Sequence, residues 1–343
     1  MSFPGDRCIF TKSVSVSGQC EKWFSTDTHT HTDTIFQMSQ KEIARALENL
    51  RRELRALQED FLASKKERED LSELKGVLRR RGLDLFRQNP PQHLFFPLGF
   101  LPEEKDKFYE LFKRYSFRLF LREILIRRGR FRVSEVVRFS TPETGKKYLR
   151  SLMEMGLAEP AGELQYRLSH DPPASLGPTL EWFVAEVLRR EFACPALYGL
   201  RCRGSGCGGD YDVVALMEGR LLYMEVKSSP PKNIEGVEIQ SFLGRVKDFL
   251  PHLALFFVDT ELRLKDKIVP FFETELLALG LRDNGNPPSI QRISDEVFFA
   301  PPRIYILGSR RSIVKNMATC FRHSFAAPLW CPGGNAFAEL LRG

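Results

Sequence analysis

The chain has 343 residues, 43% of them hydrophobic, which is enough to bury cores and excludes wholesale disorder. At roughly 100–200 residues per domain it holds two or three domains, and its longest apolar run, Leu253–Val258, is strand-sized and far short of the ~20 residues of a membrane span. Basic residues outnumber acidic ones by 51 to 44, and the excess is local: Lys113–Arg150 carries twelve basic residues against Glu123, Glu135 and Glu143, so that segment alone exceeds the whole-chain net of +7.

Such a patch is the electrostatic footprint of a polyanion-binding surface, with a solvated helical face as the plainer alternative. Seven cysteines without a regular framework, and a start lacking the charged and apolar segments of a signal peptide, predict a cytoplasmic protein with free thiols.

Residues 1–38 show no periodicity and read as a flexible tail. Cys8, Cys20, His29 and His31 are zinc-ligand types, but C-x11-C-x8-H-x-H matches no standard spacing. Met38 is a candidate for an alternative start, which the sequence does not settle. From 39 to 82 the texture becomes helical. Ile43, Leu47, Leu50, Leu54, Leu57 and Phe61 alternate spacings of four and three, the seam of a coiled coil. A stripe this short must pack on a second copy, giving a homodimer through the 43–61 heptads, or on the chain's own body. Gly82 ends it.

Residues 83–170 follow a different pattern. A helical segment runs from Pro102 to Tyr115 and a second from Phe117 to Arg127, where Gly129 breaks it. Val133–Phe139 is a short helix. Ser140-Thr141-Pro142-Glu143 then supplies a cap and a first-turn proline for a third helix. That helix places Tyr148, Leu149, Leu152 and Met153 on one face and Lys146, Lys147 and Arg150 elsewhere. Leu157-Ala158-Glu159 and Gln165–Leu168 are strand-like around a turn at Ala161-Gly162. This order resembles a winged helix-turn-helix domain, a family that usually lays its third helix in the DNA major groove and also serves for protein docking. The resemblance implies DNA as partner, with Arg138, Lys146, Lys147 and Arg150 as the contacting residues.

The segment from 171 to 343 carries the chemistry. Two apolar runs, Tyr211–Met217 and Arg220–Lys227, flank Glu218-Gly219, which is a hairpin signature. A two-residue loop sets Asp212 directly opposite Glu225, and Lys227, two residues on, shares their face. Two carboxylates and a lysine thus converge at the open end of the hairpin. Pro178–Phe192 is an amphipathic helix with Glu181 at the edge of its stripe. Ile239–Leu250 is a further helix, and Leu253–Val258 a strand.

Asp212 followed by Glu225-Val226-Lys227 resembles the PD-(D/E)xK, or restriction endonuclease-like, nuclease superfamily over roughly residues 175–262. Tyr211 stands where the name-giving proline would be. The resemblance implies an α/β fold, an αβββαβ sandwich here preceded by the winged helix and the coiled-coil helix. It further implies a Mg²⁺- or Mn²⁺-dependent nuclease in which Asp212, Glu225 and the Val226 carbonyl ligate the metal as hard oxygens. Glu181 assists, Lys227 serves the attacking water, and Gln240 is a helical residue near the site. The alternative is a non-catalytic DNA-binding regulator with an inactive nuclease-like fold.

Cys202 and Cys207 flank a glycine-rich loop before the hairpin and read as ordinary thiols. Beyond Asp259, a helix opening at Asp266-Lys267, a strand at Arg303–Leu307 and a helix at Ser312–His323 are expected. Arg310, Arg311, Lys315 and Arg322 would extend the basic surface, with His323 structural.

Overall fold

A computed structural model describes residues 72–326 except 89–90, 205, 207–209 and 281–288, together with scattered helical positions between 40 and 54. The residues 1–38, Leu57, Phe61 and Cys207, on which sequence expectations fall, lie outside the described set. The chain divides into two units, Met1–Ser64 and Lys65–Gly343. In the first, Ile43, Leu47, Leu50 and Leu54 are helical and each at least half exposed. Among the described residues no helix is long and apolar enough to cross a membrane.

The second unit opens with helix α1 (72–80), which buries Leu74 and Leu78 and stops at Gly82, whose φ of 76° is cheap only for glycine. Strand β1 (Asp84–Gln88) follows. The helical region then comprises α2 (Pro102–Phe112), α3 (Tyr115–Arg127), α4 (Val133–Val136) and α5 (Pro142–Glu154), closed by the hairpin β2 (Ala158–Gly162) and β3 (Gln165–Leu168). The predicted cap of α5 is present: Thr141 Oγ1 accepts the Thr144 N–H at 3.3 Å, with Pro142 in the first turn. Two local features differ from the expectation. The helix expected over Val133–Phe139 stops at Val136, and Phe131 forms an isolated antiparallel bridge to Tyr166 that ties the hairpin to the α3–α4 turn.

Gly145 marks where α5 crosses α4. An added Cβ would run into Val137 Cγ1, a stiff β-branched neighbour, and sit 3.2 Å from Val133 Cγ1. Gly145→Ala is therefore expected to lower stability by about 1–3 kcal/mol, against the gain that alanine normally brings to a helix. Urea unfolding measures it, and an unchanged midpoint would mean that α4 retreats freely.

The remaining elements are α6 (Gly177–Phe192), β4 (Ala196–Arg203), β5 (Tyr211–Met217), β6 (Arg220–Lys227), α7 (Gly236–Phe249), β7 (Leu253–Val258), α8 (Ile268–Ala278), β8 (Gln291–Ser294), β9 (Val297–Ala300), β10 (Ile304–Gly308) and α9 (Ile313–Ala326). The described strands outside β2–β3 form one mixed, mostly antiparallel eight-stranded sheet, ordered β1-β4-β5-β6-β7-β10-β9-β8. Only β6–β7 and β7–β10 are parallel. The αβββαβ order expected from sequence lies within it as α6, β4, β5, β6, α7 and β7. The sheet is wider than that core, because β1 adds to β4 on one side and β8–β10 add on the other.

Two apolar layers sandwich the sheet, as expected for strands buried on both faces. One holds Leu180, Phe183 and Val187 of α6, Met317 and Phe321 of α9, and the Phe108, Phe117 and Leu121 side chains of the helical region. The other holds Leu74 and Leu78 of α1, Phe242 and Phe249 of α7, and Phe272 of α8. Every residue of β7 is buried. The helical region and the sheet thus share one continuous core.

Candidate active site

The β5–β6 turn takes φ of 50° at Glu218 and 70° at Gly219, so both central residues are left-handed, as a two-residue type I′ hairpin demands. That turn sets the register: Met217 pairs with Arg220, Leu216 with Leu221, and so on to Val213 with Met224, as the sequence predicted.

The ladder ends there, and the expected direct pairing of Asp212 with Glu225 is replaced. Asp212 Oδ2 instead accepts the Val226 N–H at 2.7 Å. The strand changes face at this point, since Tyr211 joins the apolar layer of Val214 rather than that of Val213. On the neighbouring strand Gly199, at φ 59°, lies between the pairs Tyr198↔Val213 and Leu200↔Tyr211 and turns β4 in step.

Glu225 is 2% exposed and accepts four hydrogen bonds. Tyr223 Oη donates to Oε2, Lys227 Nζ to Oε1 at 2.8 Å, and Arg245 Nη1 to both oxygens at 3.0 and 2.8 Å. A carboxylate has about four lone-pair positions, so Glu225 is saturated. Asp212 is the opposite case. Burial, then the Glu225 and Glu181 charges, push its carboxyl well above the ordinary aspartate range, against the pull of the Val226 N–H and Lys227. Burial and the Glu225 and Asp212 charges likewise raise the Tyr223 phenol.

Of the residues expected at the site, Asp212, Glu225, Val226 and Lys227 come together at the end of β5–β6. Glu181, half-buried on α6, lies close enough for its charge to act on Asp212. Gln240, also expected near the site, is exposed on α7, and the α7 side chain that reaches Glu225 is Arg245, about 140° further round the helix. Sequence reasoning missed Arg245. Its signal was a cation three residues after Phe242 and four before Phe249, at the edge of the apolar stripe.

Directly beside the site, the Asp259 N–H donates to the Lys227 carbonyl at 2.8 Å. The Asp259 carboxylate is fully buried and paired with Arg118 of α3, itself 1% exposed, at 2.7 Å, and with Arg122 at 2.5 Å. Ser309 also donates to it. Burial alone would raise the Asp259 pKa, but the two guanidinium groups outweigh it and hold the carboxyl below its usual range. The helical region is thereby anchored to the strand that follows the site.

Elsewhere in that region Arg138, Lys146, Lys147 and Arg150 are all exposed. A groove of about 710 Å³ between α4, α5 and the β2–β3 hairpin is lined by Arg132, Lys146, Arg150, Leu149, Met153 and Tyr166. Arg138 stacks on the exposed Phe139 ring. The expected structural role of His323 is seen in its 2.8 Å hydrogen bond with Tyr305 Oη and its packing on Phe299.

Asp212, Glu225 and Glu181, whose charges act on one another, are hard-oxygen donors of the type a divalent cation takes. Glu225 has a lone pair to offer such an ion only when one of its present donors withdraws. Among the described residues no group of three His, Cys, Asp or Glu is drawn close enough to hold a metal ion.

No family model and no curated protein sequence matches the chain. Solved structures do. Protein VC1899 from Vibrio cholerae aligns with a TM-score of 0.42 and 15% identity over 73% of this chain and 61% of that one. Can2 from Sulfobacillus thermosulfidooxidans, in complex with cyclic tetra-adenylate, aligns at 0.38 and 14% over 60% and 58%. The chain thus spans about three-fifths of the length of each, and similarity at this level carries no functional argument.

Proposed function

We propose that this chain is a metal-dependent DNA nuclease of the restriction endonuclease-like type, brought to DNA by a winged-helix region. The observation that carries the reading is the meeting of Asp212 with Glu225-Val226-Lys227 at the end of one hairpin, beside Glu181. Asp212 and Glu225 would hold Mg²⁺ or Mn²⁺. The Val226 carbonyl would join them, since its N–H already points to the β5 side and the two groups of one extended residue point the same way. Bound there, the ion would polarise a phosphodiester and lower the pKa of a water. Lys227 would orient that water or offset the charge developing on phosphorus. Glu181 adds negative charge that favours cation binding.

The winged-helix part of the reading is supported by the order α3, α4, α5, β2, β3 and by the Phe131–Tyr166 bridge. The exposed Lys146, Lys147 and Arg150 of α5 supply charge for phosphates. Replacing all three by alanine is expected to weaken duplex binding and to flatten its salt dependence, by about 0.9 in log–log slope for each phosphate that is no longer neutralised.

A second reading, a DNA-binding regulator with a silent nuclease-like fold, is favoured by the saturation of Glu225 with Lys227 and Arg245. Purified protein incubated with supercoiled plasmid and a flapped duplex, in Mg²⁺, Mn²⁺ or EDTA, separates the two. Cutting that requires metal and is lost in Lys227→Ala supports the nuclease. Salt-sensitive binding without cutting on either substrate overturns it in favour of the regulator.

A further inference from the structure

We infer that Arg245 competes with a divalent cation for Glu225 and so sets how readily the site loads, an inference that rests on the nuclease reading. The four donors on Glu225 are not equally committed. Tyr223 is completely buried and Lys227 lies on the same strand, two residues away. Arg245 reaches in from a different element, α7. Both its bonds to Glu225 come from one nitrogen, Nη1. Its Nε is buried and has no hydrogen-bond partner.

Toward Glu225 the guanidinium uses a single nitrogen and forgoes the forked, two-point geometry that makes arginine–oxyanion pairs strong, while Tyr223 and Asp212 add to what holds it in place. An unsatisfied buried donor adds to the cost of keeping it there. Arg245 is therefore the donor that a cation arriving between Asp212 and Glu225 displaces at least expense. A phosphodiester then offers it the forked contact, through two nitrogens, that it does not make with Glu225. Arg245 is a positioning residue in this scheme, and it holds Glu225 compensated until cation and nucleic acid take over.

The direction of the effect separates competition from ligation. Isothermal titration of Mn²⁺ alone into the full chain is expected to show binding about tenfold tighter in Arg245→Met than in wild type, which is the fold-change equivalent to ~1.4 kcal/mol of competing interaction. Arg245→Lys, which keeps the charge but not the reach to both oxygens, should fall between. Thermal melts confirm that each protein is folded, and the lysine variant decides the matter if the methionine variant is not. Equal or weaker Mn²⁺ binding in the folded variants, with clear binding in wild type, overturns the inference and leaves the nuclease reading intact. No Mn²⁺ binding in wild type or either variant overturns both.

Discussion

Asp212→Asn is expected to raise the melting temperature and, on the nuclease reading, to abolish metal-dependent cleavage. The loss follows from removing one of two strand-borne carboxylates: several kcal/mol of Lewis-acid stabilisation would go, lowering the rate by about 10³-fold or more. The gain in stability follows from the environment of the same group. Burial and the Glu225 and Glu181 charges raise the folded-state pKa of Asp212 above its unfolded value. The folded chain therefore holds that proton to higher pH, and ionising the group costs folding free energy as pH rises above about 4. Asparagine keeps an oxygen for the Val226 N–H and never ionises. The variant's advantage should accordingly grow as pH rises from 4.5 to 7.5. Paired thermal melts at the two pH values, with plasmid cleavage alongside, test both halves. A variant that melts lower at pH 7.5 would mean that Asp212 is compensated by groups other than those named.

Asp259→Ala is expected to cost about 3–5 kcal/mol, because it leaves the Arg118 guanidinium buried beside α3 with no counter-charge. That is a large share of the ~5–15 kcal/mol that holds a typical domain folded. The Phe112 and Lys113 carbonyls still accept from Arg118, but they carry no net charge. Replacing both partners, Arg118→Met with Asp259→Leu, should recover much of the loss, as apolar substitutes for buried pairs commonly do. Urea unfolding of the two singles and the double gives the coupling, and additive losses would show that the pair does not act as a unit. The pH dependence has the opposite sign to that of Asp212. The folded-state pKa of Asp259 is depressed, so its contribution is present above the unfolded carboxylate range and disappears as pH falls through the lower folded value. Since the Asp259 N–H also holds the Lys227 carbonyl, the nuclease reading expects that loosening this anchor reduces cleavage even in protein that remains folded.

Local signals in the chain carried a good deal. Glu218-Gly219 between two apolar runs predicted the hairpin and its register, because a two-residue turn leaves one way to pair the strands. The 3.6-residue stripes of α6 and α7 and the continuous apolar run of β7 likewise showed where helices cover a sheet buried on both faces. Thr141-Pro142 marked the start of α5. Each of these is written within one turn or one strand, so neighbouring residues suffice to read it.

The rest depends on partners far away in sequence. Asp84–Gln88 and Gln291–Ser294 lie at the two edges of the sheet and are mostly exposed, so neither shows the alternation that betrays a half-buried strand. The change of face at Asp212 requires the matching turn at Gly199 on the adjacent strand, and it converts an expected cross-strand carboxylate pair into a bond to the Val226 backbone. Arg245 rather than Gln240 reaches Glu225 because the packing of Phe242 and Phe249 fixes how α7 is rotated on the sheet. Arg118 and Asp259 stand 141 positions apart, each an unremarkable charge in its own segment. Periodicity and turn chemistry specify which residues are buried and where strands reverse. Which charges meet once buried is decided by the three-dimensional packing of elements, and the compensation of Asp212, Glu225 and Asp259 belongs to that second kind of information.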